Sequence, residues 1–249
     1  MGTFDKTRKN AIITGASRGI GKMTAIKFAK EGYNLSLACN TNASLLKELK
    51  DFIEKEYGVT VLTFEGDLSN PENIKNLFSV HEAHYERLDC LINNAGMSIV
   101  GLFQDISYAD FQKILNVNFS SAFLCSQEAV KLMLKEKKGA IVNVSSVWGE
   151  VGASCEVAYS ATKGAINAFT RALGKELAPS GISVNAVSFG MVDTDMNSCF
   201  TEEEVEDIKK DIPAGRVASP EDASEILYSV ATSNSYLTGQ IIRFDGGWI

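Results

Sequence analysis

The sequence lacks three features that would place the protein in a specialised class. No apolar run approaches the roughly 20 residues that a membrane-spanning helix needs. Residues 1–10 contain no hydrophobic stretch, so we expect no secretory signal. No block of basic residues interrupts a chain with 31 acidic and 24 basic residues and a net charge of −7. We therefore expect neither nucleic acid nor a membrane as a partner.

Cysteine and histidine are scarce and widely spaced. The five cysteines are odd in number, and successive ones lie 30 or more residues apart. This pattern fits reduced thiols in the cytoplasm better than a disulfide framework, so the cytoplasm is the expected location. The two histidines, His81 and His84, stand at helical spacing, but no third ligand group accompanies them. We therefore expect no metal site.

Short β-type runs alternate with longer helical patterns along the 249 residues, and nothing resembles an interdomain linker. The predicted strands are 10–14, 34–38, 60–65, 90–93, 140–144, 183–187 and 240–244. The predicted helices are 20–31, 44–57 with a Ser44 cap, 71–85, about 107–137, 156–178, a short exposed 201–211, and 220–233. The alternation predicts an α/β protein with one domain, 1–249. Its expected architecture is a Rossmann-type doubly wound fold, with a seven-stranded parallel sheet covered by helices on both faces.

A glycine-rich turn, TGASRGIG at 14–21, follows the first predicted strand and opens a helix. Glycine lets the backbone turn tightly and approach a ligand closely. The helix N-terminus offers unpaired amides and a partial positive charge, which suit a pyrophosphate. The alternative is a turn that only packs, but its position after the first strand favours a dinucleotide site. The expected cofactor-binding members of this turn are Gly15, Ser17, Arg18, Gly19, Ile20 and Gly21.

The end of the second strand bears on the choice of cofactor. A carboxylate there would bind the adenosine ribose, whereas a nearby positive charge favours a 2′-phosphate. The segment ACNTN at 38–42 has no carboxylate, and Arg18 lies in the glycine-rich turn within plausible reach. We therefore favour NADP over NAD and include Asn40 in the cofactor site. The alternative is that Arg18 is a solvated surface charge.

Three polar residues near the end of the fifth strand indicate a catalytic group. Ser146 follows that strand, Tyr159 comes 13 residues later, and Lys163 lies one helical turn beyond Tyr159. A tyrosine needs its pKa of about 10 lowered by roughly 3 units to exchange a proton near neutral pH. One ammonium at about 4 Å supplies that much at an effective dielectric constant of about 20. Tyrosine and lysine at this spacing are also common on exposed helices, so only the serine and the glycine-rich turn favour catalysis.

Taken together, these motifs resemble the short-chain dehydrogenase/reductase family over nearly the whole chain. Within that family the chain is most similar to 3-oxoacyl-[acyl-carrier-protein] reductases. The residues that carry the resemblance are TGASRGIG at 14–21, Asp67-Leu68, NNAG at 93–96, Asn118, Ser146, YSATK at 159–163, Thr238-Gly239 and DGG at 245–247.

The resemblance implies roles for further residues. It implies that Asn118 completes the catalytic group by holding a water that links Lys163 to solvent. It also implies that Lys163 binds the nicotinamide ribose and Tyr159 belongs to the cofactor site. The simpler alternatives are a turn residue for Asn94 and a helix residue bonding a carbonyl for Asn118. The cofactor contacts implied by the resemblance are Asp67 and Leu68 at the adenine, Asn94 near the adenosine ribose, and Val192 and Thr194 at the carboxamide and phosphates.

One residue departs from the family pattern. Phe189-Gly190 stands where the family usually has Pro-Gly, so the turn loses a proline's restraint on φ. Phe189 is expected near the nicotinamide or in the core. Trp148 is expected either to line the substrate pocket or to pack as a loop aromatic. By resemblance, residues 189–215 form a substrate lid.

The resemblance implies NADP-dependent reduction of a carbonyl, with Tyr159 protonating the oxygen and Ser146 orienting the substrate. The expected substrate is a 3-oxoacyl thioester on acyl carrier protein in fatty acid synthesis, and the expected assembly is a homotetramer. Another alcohol, sugar or ketone dehydrogenase of the same family is the first alternative. A non-catalytic NADP-binding regulator is the second, against which the intact Ser-Tyr-Lys-Asn set argues.

Overall fold

The computed structural model describes residues 8–198 and 200–249. The segment 1–7 and Cys199, one of the five cysteines, lie outside the described residues. Seven parallel strands form one sheet in the order β3-β2-β1-β4-β5-β6-β7. The strands are β1 (Asn10–Thr14), β2 (Asn34–Cys39), β3 (Val61–Glu65), β4 (Cys90–Asn93), β5 (Gly139–Ser146), β6 (Ile182–Phe189) and β7 (Ile241–Phe244).

Helices cover both faces of this sheet, as the alternating pattern predicts. The helices are α1 (Gly19–Lys30), α2 (Ala43–Tyr57), α3 (Pro71–Tyr85), α4 (Tyr108–Leu115), α5 (Ser121–Glu136), α6 (Trp148–Val151), α7 (Val157–Leu177), α8 (Glu202–Asp211) and α9 (Pro220–Thr232). One apolar cluster joins α1, α2 and α9 to one face. A second cluster joins α3, α5 and the end of α7 to the other face. The expected doubly wound parallel fold is therefore confirmed.

The strand order reverses direction between β1 and β4, because β1 pairs with both β2 and β4. In open α/β sheets, the loops at the carboxyl ends of the strands part at such a switch point and leave a crevice for ligands. The glycine-rich turn follows β1, and the NNAG segment follows from β4. The topology therefore places both motifs at the same crevice.

Three local predictions differ from the structure. The two strands β5 and β6 are longer than expected because they pair along their full length, as far as Ser146 opposite Phe189. Helix α2 has Asn42 in a left-handed conformation at its N-cap, so the expected Ser44 cap is wrong. The long helix expected over 107–137 is broken by a π-helical turn, Asn116–Ser120, between α4 and α5.

Within the described residues, no helix has the length and hydropathy needed to cross a bilayer.

Candidate active site

The carboxyl ends of the central strands open into a cleft of about 1470 Å³. Fourteen of the residues expected in the site line this cleft: Gly15, Ser17, Arg18, Gly19, Ile20, Asn40, Asp67, Leu68, Asn94, Ser146, Tyr159, Lys163, Val192 and Thr194. Gly21 and Asn118 lie behind its wall. The sequence motifs thus converge on one cleft, although they are spread along most of the chain.

The glycine-rich turn is held in place by a side chain from the loop after β4. Asn94 Nδ2 donates to the carbonyl oxygens of Thr14 and Gly15, at 2.9 and 3.1 Å. A Cβ atom on Gly21 would lie 2.2 Å from the Gly15 carbonyl oxygen and 2.6 Å from Asn94 Nδ2. Gly15 itself has a φ of +66°, which favours glycine. Gly21 is one of the expected cofactor-binding residues, and in the structure it packs closely beneath the turn.

The start of α1 has the features of an anion site. Helix α1 begins at Gly19 after an extended Arg18, with no side-chain cap and no acidic residue in its first turn. The first amides of a helix lack intrahelical partners and carry partial positive charge. A Cβ atom on Gly19 would lie 3.3 Å from Thr194 Cγ2, so the bare glycine leaves the backbone open to the cleft. The residues present therefore fit the pyrophosphate of a dinucleotide.

The other end of this part of the cleft lies beyond β2. Asn40 is exposed there, and the carboxylate of Asp67 accepts a bond from the Ser69 amide at 2.9 Å. The Arg18 guanidinium forms an exposed ion pair with Asp195, with Nη1 and Oδ2 3.2 Å apart. Exposed ion pairs contribute about 0–1 kcal/mol, so this arginine can exchange partners at low cost.

The catalytic candidates come from β5 and the first turns of α7. Lys163 is buried, and its Nζ donates to the carbonyl oxygen of Val144 at 2.8 Å. The same Nζ lies 5.6 Å from the centre of the Tyr159 ring. Burial lowers the pKa of Lys163 to about 8. Ser146 ends β5, is almost fully buried, and accepts a bond from the Trp148 amide at 3.2 Å.

The pKa of Tyr159 differs in direction from the sequence expectation. Burial raises the phenol's pKa above its ordinary value, a hydrogen bond with Ser146 lowers it, and the charge of Glu156 raises it further. Lys163 was expected to lower this pKa from about 4 Å. The effect of Lys163 on this pKa stays a prediction, since its ammonium donates to the Val144 carbonyl and lies 5.6 Å from the centre of the Tyr159 ring. With its pKa raised, the Tyr159 hydroxyl is protonated at neutral pH.

Asn118 lies in the π-helical turn and is buried. Its Oδ1 accepts the Met97 amide at 2.8 Å, and its Nδ2 donates to the Met97 carbonyl at 2.8 Å. Nδ2 also donates to Thr162 Oγ1 at 3.1 Å, one residue before Lys163. The side-chain amide thus connects the loop after β4 to α7, which matches the simpler alternative of a carbonyl-bonding residue.

A row of buried polar side chains that was not predicted from the sequence fixes α7 against β5. Asn143 Nδ2 donates to Thr170 Oγ1 at 2.9 Å, and Ser145 Oγ donates to Asn167 Oδ1 at 2.6 Å. Thr170 and Asn167 follow Lys163 on the same face of α7, at helical spacing. Polar residues at this spacing were the available signal, because an exposed helix face would show more charge.

Three of the aromatic residues that line the cleft take part in two edge-on aromatic pairs. Trp148 lies edge-on to Trp248 with ring centres 5.2 Å apart, and both rings line the cleft. Trp148 therefore lines the cleft and packs against another aromatic ring, from the start of α6 rather than from a loop. Phe189 is buried against Phe244 at 5.8 Å, so it occupies the core and borders the cleft.

The histidines lie away from this cleft. His81 is fully buried, with Nδ1 bonded to Ser36 Oγ at 2.8 Å and Nε2 to the Arg87 carbonyl at 3.1 Å. Both ring nitrogens are thus used within the protein. In the part of the chain that the structure describes, no three metal-ligating side chains come together.

A doubly wound sheet with a glycine-rich turn, an open helix N-terminus and a Ser-Tyr-Lys group in one cleft defines a dinucleotide-dependent oxidoreductase. Residues 9–205 match the family model described as short chain dehydrogenase. The chain belongs to the short-chain dehydrogenase/reductase family and is an NAD(P)-dependent oxidoreductase.

Similar proteins support this assignment along the whole chain. An uncharacterized oxidoreductase, YmfI, of Bacillus subtilis (strain 168) is 42% identical over 241 residues, which cover 96% of this chain and 98% of that protein. The 3-oxoacyl-[acyl-carrier-protein] reductase FabG of Aquifex aeolicus (strain VF5) is 37% identical over 240 residues, covering 96% of each chain. The crystal structure of YwfH, an NADPH-dependent reductase involved in bacilysin biosynthesis, superposes with a TM-score of 0.93 at 26% identity, covering 97% of this chain and 98% of that one.

Proposed function

We propose that the protein is an NADPH-dependent 3-oxoacyl-[acyl-carrier-protein] reductase that acts in fatty acid synthesis. The observation that carries this proposal is the 37% identity to the Aquifex aeolicus reductase over 96% of each chain. That match covers nearly the whole of both chains. We take residues 189–215 as the lid of a single domain, 1–249.

The preference for NADPH is supported by the end of β2. No carboxylate follows Cys39 over residues 40–42, and Asn40, Thr41 and Arg18 line the same part of the cleft. Arg18 would leave its exposed partner Asp195 and bind the 2′-phosphate of the adenosine. The structural neighbour YwfH is itself named as an NADPH-dependent reductase.

The protein's own residues account for the proton transfer to the substrate oxygen. When bound, the nicotinamide cofactor supplies the hydride that a carbonyl reduction needs. Tyr159, whose hydroxyl is protonated at neutral pH, donates its proton to the carbonyl oxygen. Ser146 orients that oxygen by donating a hydrogen bond. Lys163 stabilises the phenolate that remains after the proton has left.

The remaining contacts position this group. Asn118 holds the loop at Met97 and the start of α7 at Thr162, so it acts through other residues. The proposed cofactor site consists of the fourteen expected residues that line the cleft, except Ser146, which belongs to the catalytic group. Gly21 packs beneath the glycine-rich turn.

We further propose a cytoplasmic homotetramer. Phe119 in the π-helical turn, Phe123 on α5 and Phe169 on α7 form an aromatic cluster, and Phe123 is 44% exposed, which supports a subunit contact there.

A second candidate is reduction of another small ketone by the same machinery. The 42% identical Bacillus subtilis oxidoreductase is uncharacterized, and the structural neighbour belongs to bacilysin biosynthesis. Fold and catalytic residues do not separate these substrates, because specificity lies in the lid and pocket.

Initial rates with NADPH and NADH test the proposal against acetoacetyl thioesters of acyl carrier protein and coenzyme A, simple ketones and sugars. The proposal predicts the highest kcat/KM for NADPH with acetoacetyl-acyl carrier protein. A higher kcat/KM for a simple ketone or a sugar would favour the second candidate. Tight NADPH binding without turnover of any substrate would instead indicate a regulator.

A further inference from the structure

A carboxylate and a hydroxyl meet in the cleft close to the catalytic group. Ser98 Oγ donates to Glu156 Oε2 at 2.6 Å, and both residues line the cleft. Glu156 occupies the N-cap position of α7, but its side chain makes no bond to the helix amides. The carboxylate instead bonds the loop after β4.

Two backbone hydrogen bonds fix the main chain around Glu156. The Gly101 amide donates to the Cys155 carbonyl at 2.8 Å, which ties the loop after β4 to the segment before α7. The Ser160 amide donates to the Glu156 carbonyl at 2.8 Å, which fixes the first turn of the helix. Glu156 is only half-buried, so its charge is also accessible to a ligand in the cleft.

Glu156 lies close to Tyr159 at the start of α7. It precedes Tyr159 by three residues, and residues at this spacing are neighbours on a helix surface, with Cβ atoms about 5–6 Å apart. The charge of Glu156 also acts on the phenol itself, whose pKa it raises. Lys163, the cation beside Tyr159, already donates to the Val144 carbonyl at 2.8 Å, and its Nζ lies 5.6 Å from the centre of the Tyr159 ring. A substrate at Tyr159 therefore meets an acidic neighbour.

We propose that Glu156, anchored by Ser98, is a specificity-determining residue that selects neutral 3-oxoacyl substrates over free 3-oxo acids. The inference rests on the proposed function, because it concerns the group next to the reduced carbonyl. In a free 3-oxo acid, a carboxylate stands one methylene away from that carbonyl. In a thioester or ester, the same position is uncharged. The carboxylate of Glu156 therefore repels only the free acid.

The test compares ethyl acetoacetate with acetoacetate, which share a carbon skeleton and differ in this charge. The readout is the ratio of their kcat/KM values with NADPH, in which any effect of Glu156 on Tyr159 itself cancels. The wild-type protein should prefer the ester, and Glu156→Gln should reduce that preference about tenfold. Glu156→Asp should retain most of it. Glu176→Gln, the same change about 30 Å along α7, should leave the ratio unaltered.

An unchanged ratio in Glu156→Gln would overturn the proposal. Quenching of Trp148 and Trp248 fluorescence gives the same comparison through Kd values in the presence of NADP⁺, independently of turnover. Ser98→Ala provides a second variant, which frees the carboxylate and should narrow the Kd ratio without removing the charge. Failure of acetoacetyl thioester reduction, with the charge discrimination intact, would reject the proposed substrate and leave this inference standing.

Discussion

Asn118 holds Met97 at both of its backbone polar groups, through two hydrogen bonds of 2.8 Å. The π-helical turn Asn116–Ser120 makes this contact possible, because it sets Asn118 apart from the regular helices on either side. Met97 in turn lines the cleft. The amide therefore shapes the cleft from behind its wall, and it links that wall to α7 through Thr162.

Replacing Asn118 should reduce both stability and activity. Asn118→Ala leaves the amide and carbonyl of Met97 without their partner, and an unsatisfied buried polar group costs about 1–3 kcal/mol. For a chain of this size, each 1 kcal/mol lowers Tm by about 2–4 °C. Thermal unfolding of Asn118→Ala beside Asn76→Ala, an exposed position on α3, measures the effect. Equal Tm values for the two variants would contradict this role.

Arg18 should contribute to NADPH binding and have little effect on NADH. Arg18→Ala removes the charge proposed for the 2′-phosphate, so Kd for NADPH should rise about tenfold, which corresponds to a charge-assisted hydrogen bond. Asp195→Ala removes the arginine's exposed partner and should tighten NADPH binding slightly. Fluorescence titrations measure the Kd values of both variants for NADPH and for NADH, which gives four comparisons with the wild type. A parallel loss of NADH affinity in Arg18→Ala would show that the arginine supports the loop rather than the phosphate.

Gly21 should tolerate no side chain. In Gly21→Ala, the new methyl would meet the Gly15 carbonyl oxygen at 2.2 Å, and overpacking of this kind costs about 1–3 kcal/mol. The turn above it would shift, so NADPH affinity should fall with stability. Gly164→Ala is the matched change, since its methyl would lie at an ordinary 3.5 Å from Gly149. Urea unfolding should separate the two variants, and similar midpoints would refute the packing argument.

Lys163 should make stability depend on pH in the alkaline range. Its pKa falls from 10.5 to about 8 on burial, so the unfolded chain binds more protons at this amine between those values. The free energy of unfolding therefore rises with pH across this window, by about 3 kcal/mol for the full shift. Below pH 8, the folded protein must hold a buried charge.

Lys163→Met removes this titration. The stability of the variant relative to the wild type should decrease by about 3 kcal/mol as the pH rises from about 7.5 to 10.5. Urea unfolding at several pH values in this range gives the difference directly. A difference that stays constant with pH would mean that the lysine is not held in a desolvated site.

Most of the fold could be predicted from the sequence, because its apolar residues follow regular strand and helix spacings and glycines mark helix ends. Strands β1 and β4 and helix α3 have the predicted bounds. The π-helical turn escaped prediction, because its residues continue the same helical spacing and only the contact between Asn118 and Met97 distinguishes it. Tertiary contacts of this kind leave no local signal.

The sequence predicted which residues meet in one cleft, and it predicted the charges and pKa values there less well. The spacing of Tyr159 and Lys163 gave the correct shared position, but it could not show that the ammonium bonds Val144 or how strongly the phenol is desolvated. The Ser98–Glu156 contact joins residues 58 positions apart, so it could not be predicted from a local sequence pattern. Glu156, one helical turn before Tyr159, was the only available hint.

Tyr159→Phe tests the proposed proton donor most directly. The change removes one hydroxyl and leaves the ring in place, so the measurement is kcat for carbonyl reduction together with Kd for NADPH. The account predicts that kcat falls by about 10²–10⁴, as expected for loss of a general acid, while Kd changes little. Tyr236→Phe, at a 96% exposed position, should match the wild type. Turnover by Tyr159→Phe within a few-fold of the wild type would contradict the assignment of this phenol as the proton donor.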